Sequence, residues 1–251
     1  MPIVFAILGE LCLAPGMGPV AAVMVLMQFL TYLRPGELLD LQTQDLIQSL
    51  ENIHGSFRHW ALVVRPQEVG VPLKTGEFDK SLLLDSEGFD YLSQSLARLK
   101  SLRSAEKMLW PMNLEEFGKF FHGALKTLGL DHLGITLYSL RHAGASWDLL
   151  TGRRSYEQVK DRGGWKTDTS MQRYAKAARS QQLAGEMPYH VVKYGLQVFQ
   201  DMHLILAGDV TNLRSLRGLA FTQLDRRPVA QVEADAVLRL CCLQPQKASE
   251  S

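Results

Sequence analysis

Residues 137–176 read LYSLRHAGASWDLLTGRRSYEQVKDRGGWKTDTSMQRYAK, and their punctuation specifies three helices joined by two tight turns. A helix is expected from about Ser139 to Leu150, stopped by Gly152. Ser155 with Gln158 has the form of a capping box opening a short helix, which Gly163-Gly164 ends. A further helix starts at Thr167 or Asp168 and carries Tyr174. Arg141 thus opens the first helix, Trp165 sits on the glycine turn, and Tyr174 follows nine residues later. A cation, an indole N–H donor and a phenol can converge on one phosphodiester from such a frame.

Outward from this stretch the chain remains mainly helical. Val20 to Met27 is an apolar run that predicts a core helix from about 19 to 33, ending near Arg34-Pro35-Gly36 because proline disfavours helical geometry in the residue before it. A short helix from Pro35 to Leu41 would put Glu37 one turn from Arg34. Strand-length apolar runs at His59–Arg65 and Ser81–Leu84, separated by Pro66, Gly70, Pro72 and Thr75-Gly76, predict a small antiparallel sheet with Lys74 at its turn. Lys80 lies on the same hairpin and is the alternative to Lys74. Helices are expected again at about 87–102 and 114–128, the second with Asn113 and Glu116 as its capping box.

Composition permits a sizeable core, with 251 residues of which 46% are hydrophobic. The net charge is only +1, yet residues 141–180 hold nine Lys or Arg against four Asp or Glu. Basic charge therefore gathers where the convergent residues lie, as expected of a strip that faces nucleic acid. Three cysteines, Cys12, Cys241 and Cys242, cannot build a disulfide framework and have no zinc-ligand spacing. An intracellular protein is expected, in a nucleus or a bacterial cytoplasm. Ile3 to Leu8 is apolar but lacks the basic leader of a signal peptide, and the longest apolar run falls short of a membrane span.

Taken in order, Arg34, Lys74, Arg141, Trp165 and Tyr174 resemble the catalytic set of the tyrosine recombinases, or phage integrases. That family's first box, L-R-x-x-E-L-x-x-L, is matched by Leu33, Arg34, Glu37, Leu38 and Leu41. Its second box is usually H-x-L-R-H; here it is Tyr138, Ser139, Leu140, Arg141 and His142, with tyrosine in place of the first histidine. The third, a G-H or G-W pair with the nucleophile nine residues on, is met by Gly164, Trp165 and Tyr174. Together these cover roughly residues 17 to 180.

The resemblance implies a mixed, mainly α-helical catalytic domain with a small antiparallel β-sheet over residues 1–185, lacking the family's N-terminal DNA-clamp domain. Residues 186–251 would follow as a partly helical extension. It implies cleavage and rejoining of double-stranded DNA through a 3′-phosphotyrosyl intermediate, by a homo-oligomer assembled on DNA, with no cofactor and no metal. Arg34, Lys74, Tyr138, Arg141, Trp165 and Tyr174 would form the site. Glu37 and His142 would stand behind it, and Arg153, Arg154, Lys166 and Arg173 would contact DNA. Arg34, Arg141, Trp165 and Tyr174 would then line one basic surface. Two alternatives stand beside this expectation: a catalytically decayed DNA-binding remnant of a mobile element, suggested by Tyr138, and a type IB topoisomerase.

The chemistry has its own logic. Forming a tyrosine phenolate at pH 7 costs about 4 kcal/mol, because its ordinary pKa is near 10. Neighbouring cations must lower that cost and offset charge on the phosphate in the transition state. A lysine can protonate the 5′-oxygen as it leaves. Tyrosine at position 138 can donate to a phosphate oxygen but cannot exchange protons near pH 7 as histidine does. His142, next to Arg141 on a helix, points about 100° away and is expected to pack within the domain.

Overall fold

The computed structural model describes residues 1–64, 80–171, 182, 184–222 and 227–231. Among them the chain is mainly helical with one three-stranded antiparallel sheet. In chain order the elements are α1 (Pro2–Leu13), α2 (Gly18–Thr31), α3 (Pro35–Leu39), β1 (Leu46–Ile47), β2 (Ala61–Val64), β3 (Lys80–Leu83), α4 (Leu92–Ser101), α5 (Leu114–Thr127), α6 (Leu137–Leu150), α7 (Tyr156–Gly163), α8 (Asp168–Met171), α9 (Tyr189–Ala207) and α10 (Thr211–Thr222).

Two helices without a polar face organise the core. Every residue of α1 from Val4 to Cys12 is buried, and α2 is buried from Ala21 to its end. Helices that are apolar all round must be covered on all sides. Helix α2 takes α5 and α6 as neighbours, while α1 packs on α2, α5 and α9. The α1–α9 approach is close because glycines face each way: a Cβ on Gly195 would fall on the Pro2 carbonyl, and one on Gly9 would meet the Tyr194 hydroxyl and Val198. Val191, Tyr194, Val198, Met202 and Ile205 of α9 belong to the same buried cluster as α1. Without α9 a fully apolar face of α1 would be open to water, so residues beyond 185 contribute to the same core.

The sheet has the order β1-β2-β3, with Leu46 opposite Leu62, Leu62 opposite Leu82, and Val64 opposite Lys80. Leu46, Leu62, Val64 and Leu82 turn inward to the helical core, as alternation along a half-buried strand requires. The two expected strands are present at Ala61–Val64 and Lys80–Leu83, and β1, too short for a sequence signal, joins them. Helix boundaries follow their capping residues. Asn113 Oδ1 accepts from Glu116 N–H at 3.0 Å and Ser155 Oγ from Gln158 N–H at 3.2 Å. Gly164 closes α7 with φ +64°. Helix α4 starts later than position 87, because the chain first turns through Gly88 at φ +81°. Among the described residues no helix is long and apolar enough to cross a membrane.

Candidate active site

The site begins where α2 stops. Position 33 was the expected end, but α2 ends at Thr31 because Tyr32 takes a left-handed conformation, φ 55° and ψ 27°. That geometry costs a non-glycine residue about 1–2 kcal/mol. Several contacts hold it. Arg141 Nη1 donates to the Tyr32 carbonyl, and the Tyr32 hydroxyl donates to Asp148. The Arg162 guanidinium lies 5.7 Å from the centre of the Tyr32 ring. Arg162 Nε also donates to the Leu30 carbonyl at 2.9 Å. Two guanidinium groups thus serve carbonyls at the C-terminal end of α2, where the helix dipole favours cations.

Arg141 reaches this place by the packing of α6. Arg141, Gly144, Ala145 and Asp148 are spaced i, i+3, i+4 and i+7 and are all buried, so they form one stripe toward α2. A Cβ on Gly144 would fall on the Phe29 carbonyl; glycine is what lets the two backbones meet. Small residues lie at the centre of the stripe and charged ones at its ends.

The second turn completes the enclosure. Arg141 Nη2 donates to the Gly163 carbonyl at 2.6 Å, and its guanidinium stacks over the Trp165 ring at 4.5 Å. The indole folds back over Gly163, where a Cβ would coincide with its six-membered ring. Tyr32 lies 6.1 Å from the same indole, and Tyr32, Ala145, Val159 and Met171 form a small buried cluster with Trp165 packed against it. Lys80 comes from the sheet, its Nζ 3.3 Å from where a Cβ on Gly164 would stand. Arg34 follows Tyr32 by two residues, within about 7 Å along the chain.

Behind the turn runs an ion network. Arg154 Nη2 is 2.5 Å from Asp85 and its Nε 3.0 Å from Asp148, while Arg162 Nη1 is 3.3 Å from Asp85. Arg162 Nη2 also donates to the Leu83 carbonyl at 2.8 Å. Burial raises the Asp85 pKa, but the Arg154 hydrogen bond and the charges of Arg162 and Arg154 outweigh it and leave the carboxyl below its ordinary value. Burial lowers the Arg162 pKa, and the like charge of Arg154 acts the same way. Burial and then the Asp148 carboxylate push the Tyr32 phenol up, so it stays a donor. Two arginines and two aspartates meet here, so the charges of these groups balance.

The expected site residues fall into distinct environments. Arg34 precedes α3, and Glu37 accepts from both its backbone N–H, at 2.9 Å, and its guanidinium. Tyr138 is 43% exposed, and its ring meets His142 edge-on at 4.8 Å. Lys166 is exposed. Lys74, Arg173 and Tyr174 lie outside the described residues. Arg141 does not line a surface as expected; it is 1% exposed, because α2's terminus needs its hydrogen bonds. Arg154 is likewise no open DNA contact, being held between Asp85 and Asp148 with its side chain 13% exposed. Arg153 donates to the Glu87 carbonyl at 3.3 Å and lies over Phe89. Part of the basic surplus in residues 141–180 is therefore internal. Tyr156, packed against the same small cluster, donates to the Asp168 carbonyl at 3.3 Å, and partial burial with the Asp168 charge raises its pKa.

Sequence alone gave no hint of Tyr32, Asp85, Asp148 or Arg162. A basic residue in the last turn of a helix reads as a solvated dipole partner, and only the fold shows that Arg162 points inward. Among the described residues no group of three His, Cys, Asp or Glu could hold a metal ion. No protein-family model matches this chain, and no curated protein is significantly similar to it.

Proposed function

We propose that the chain cleaves and rejoins duplex DNA at the Gly163–Trp165 turn, with Tyr174 as nucleophile, in a catalytic domain of tyrosine-recombinase type that works as a homo-oligomer on DNA. One observation carries this: elements distant in sequence deliver Arg141, Lys80 and the chain leading to Arg34 to the same short turn. Tyr174 follows three residues after Met171, whose side chain packs in the cluster beside Trp165. The Tyr174 phenol releases its proton to water as its oxygen bonds to phosphorus, the P–O5′ bond breaks, and the 5′-oxygen leaves with that electron pair and takes a proton from a lysine of the hairpin. Energy of the broken bond is kept in the phosphotyrosyl ester, from which a 5′-hydroxyl can reclaim the strand.

In this arrangement Arg141 donates to neutral carbonyls. A phosphate oxygen offers a charged acceptor, and charge-assisted hydrogen bonds are roughly twice as strong, so phosphate binding would draw the guanidinium from Tyr32 and Gly163 as the indole lifts. A second reading rests on the same burial: Arg141 braces the core, and the chain binds DNA without cutting it. A duplex nicked just beyond the cleavage point separates the two, because the short cleaved fragment diffuses away. The proposal expects a detergent-resistant protein–DNA adduct with the wild-type chain and none with Tyr174→Phe. Binding without any wild-type adduct would establish the second reading.

A further inference from the structure

Three elements carry the groups at the turn, and one buried side chain ties them together. Arg162, on α7 directly before Gly163-Gly164, is 9% exposed. Its Nε donates to Leu30 of α2 at 2.9 Å, its Nη2 to Leu83 at the end of β3 at 2.8 Å, and its Nη1 lies 3.3 Å from Asp85 just beyond that strand. Strand β3 begins with Lys80, whose Nζ stands beside Gly164. Arg162 thus joins the end of β3 to the α2 terminus and to the glycine turn, so it sets where Lys80 stands relative to that turn. Arginine suits this task because its planar fork fixes several acceptors at set angles, which a lysine ammonium cannot do.

We propose that Arg162 is a positioning residue for strand cleavage: by fastening β3 to the α2 terminus it holds Lys80 at the Gly163–Trp165 turn, where Lys80 protonates the leaving 5′-oxygen. This rests on the cleavage activity proposed above. When the P–O5′ bond breaks, the oxygen departs with the bonding electron pair and takes a proton from the Lys80 ammonium. The neutral amine then regains a proton from water. Arg162 touches neither DNA nor the proton; it acts only through the strand.

A leaving group that needs no proton provides the test. Replacing the bridging 5′-oxygen by sulfur makes the leaving group a thiolate, whose conjugate acid has a pKa of about 8.5, so proton donation ceases to matter. The full chain is assayed on nicked duplexes with either atom at the cleavage point. Arg162→Lys should lower adduct formation on the oxygen duplex by about 10²-fold, the scale of a misplaced catalytic group, with duplex affinity unchanged, and should recover on the sulfur duplex. Lys80→Ala should show the same pattern, and the double variant should be no slower than Lys80→Ala alone. A role in stability only would lower both substrates equally, and that result would overturn the proposal. Full oxygen-duplex activity in Lys80→Ala would also overturn it, whether or not the Arg162 variants fold. If the wild-type chain forms no adduct with either duplex, the cleavage activity itself fails and the inference falls with it.

Discussion

Gly163→Ala should damage the site through one methyl group. Gly163 is the last residue of α7 and has no positive φ, so alanine would by itself favour the helix by about 1 kcal/mol. Against that gain stands the indole: the new Cβ would coincide with the Trp165 ring edge, and Trp165 must leave its place. Displacement loses the Arg141 stack at 4.5 Å, worth about 2 kcal/mol when desolvated, and the Tyr32 ring contact at 6.1 Å, worth about 1 kcal/mol. The net destabilisation is about 2 kcal/mol, which for a chain of this size lowers Tm by about 4–8 °C. Thermal unfolding followed by far-UV circular dichroism gives the shift, and the near-UV spectrum reports the indole. Gly164→Ala is the control. It carries its own cost of about 1–2 kcal/mol for φ +64°, but its Cβ meets only the flexible end of Lys80, so the near-UV signal should persist. A Gly163→Ala chain that melts at or above the wild type with an unchanged near-UV spectrum would refute the stacked arrangement.

Gly144→Ala should cost about 1–3 kcal/mol in chemical denaturation, the usual range for overpacking, because its Cβ would fall on the Phe29 carbonyl; a neutral effect would mean α6 does not meet α2 there. Asp85 has a folded pKa below its ordinary 3.8, so its contribution is complete above that value and is lost as pH falls through the depressed folded value. Asp85→Asn should accordingly be less stable at pH 6 and should flatten the acid limb of a stability–pH curve, and an unchanged acid limb would contradict the network. Arg154→Gln should lower stability by about 3 kcal/mol, as breaking a buried pair does, without altering the salt dependence of duplex binding. Lys166→Gln should do the reverse, reducing the logarithmic salt slope by about 0.9; equal effects of the two on salt dependence would show that Arg154 also reaches DNA.

Features written in local chemistry were legible in the sequence. The capping residues Asn113 and Ser155, the stops at Gly152 and Gly164, and the apolar run that includes Ala61–Val64 each act within a few residues of themselves, so single-chain patterns expose them. What sequence could not show depends on distant partners. Tyr32 becomes left-handed because Arg141 and Asp148, more than a hundred positions later, satisfy its carbonyl and hydroxyl. Helix α9 joins the core because α1 is apolar on every side. Charge counting misled for a similar reason: the basic residues of 141–180 include Arg141, Arg154 and Arg162, which serve buried carbonyls and carboxylates. A count of cations cannot tell a ligand-facing guanidinium from one that completes a helix terminus.

The most direct test of the proposed chemistry is the identity of the residue joined to DNA. Wild-type chain is incubated with the nicked duplex, the adduct is digested with nuclease and protease, and the modified peptide is sequenced by mass spectrometry. A nucleotide 3′-phosphate on the oxygen of Tyr174 is the expected result. Attachment at Tyr156, or a wild-type chain that binds the duplex and yields no modified peptide, would contradict it.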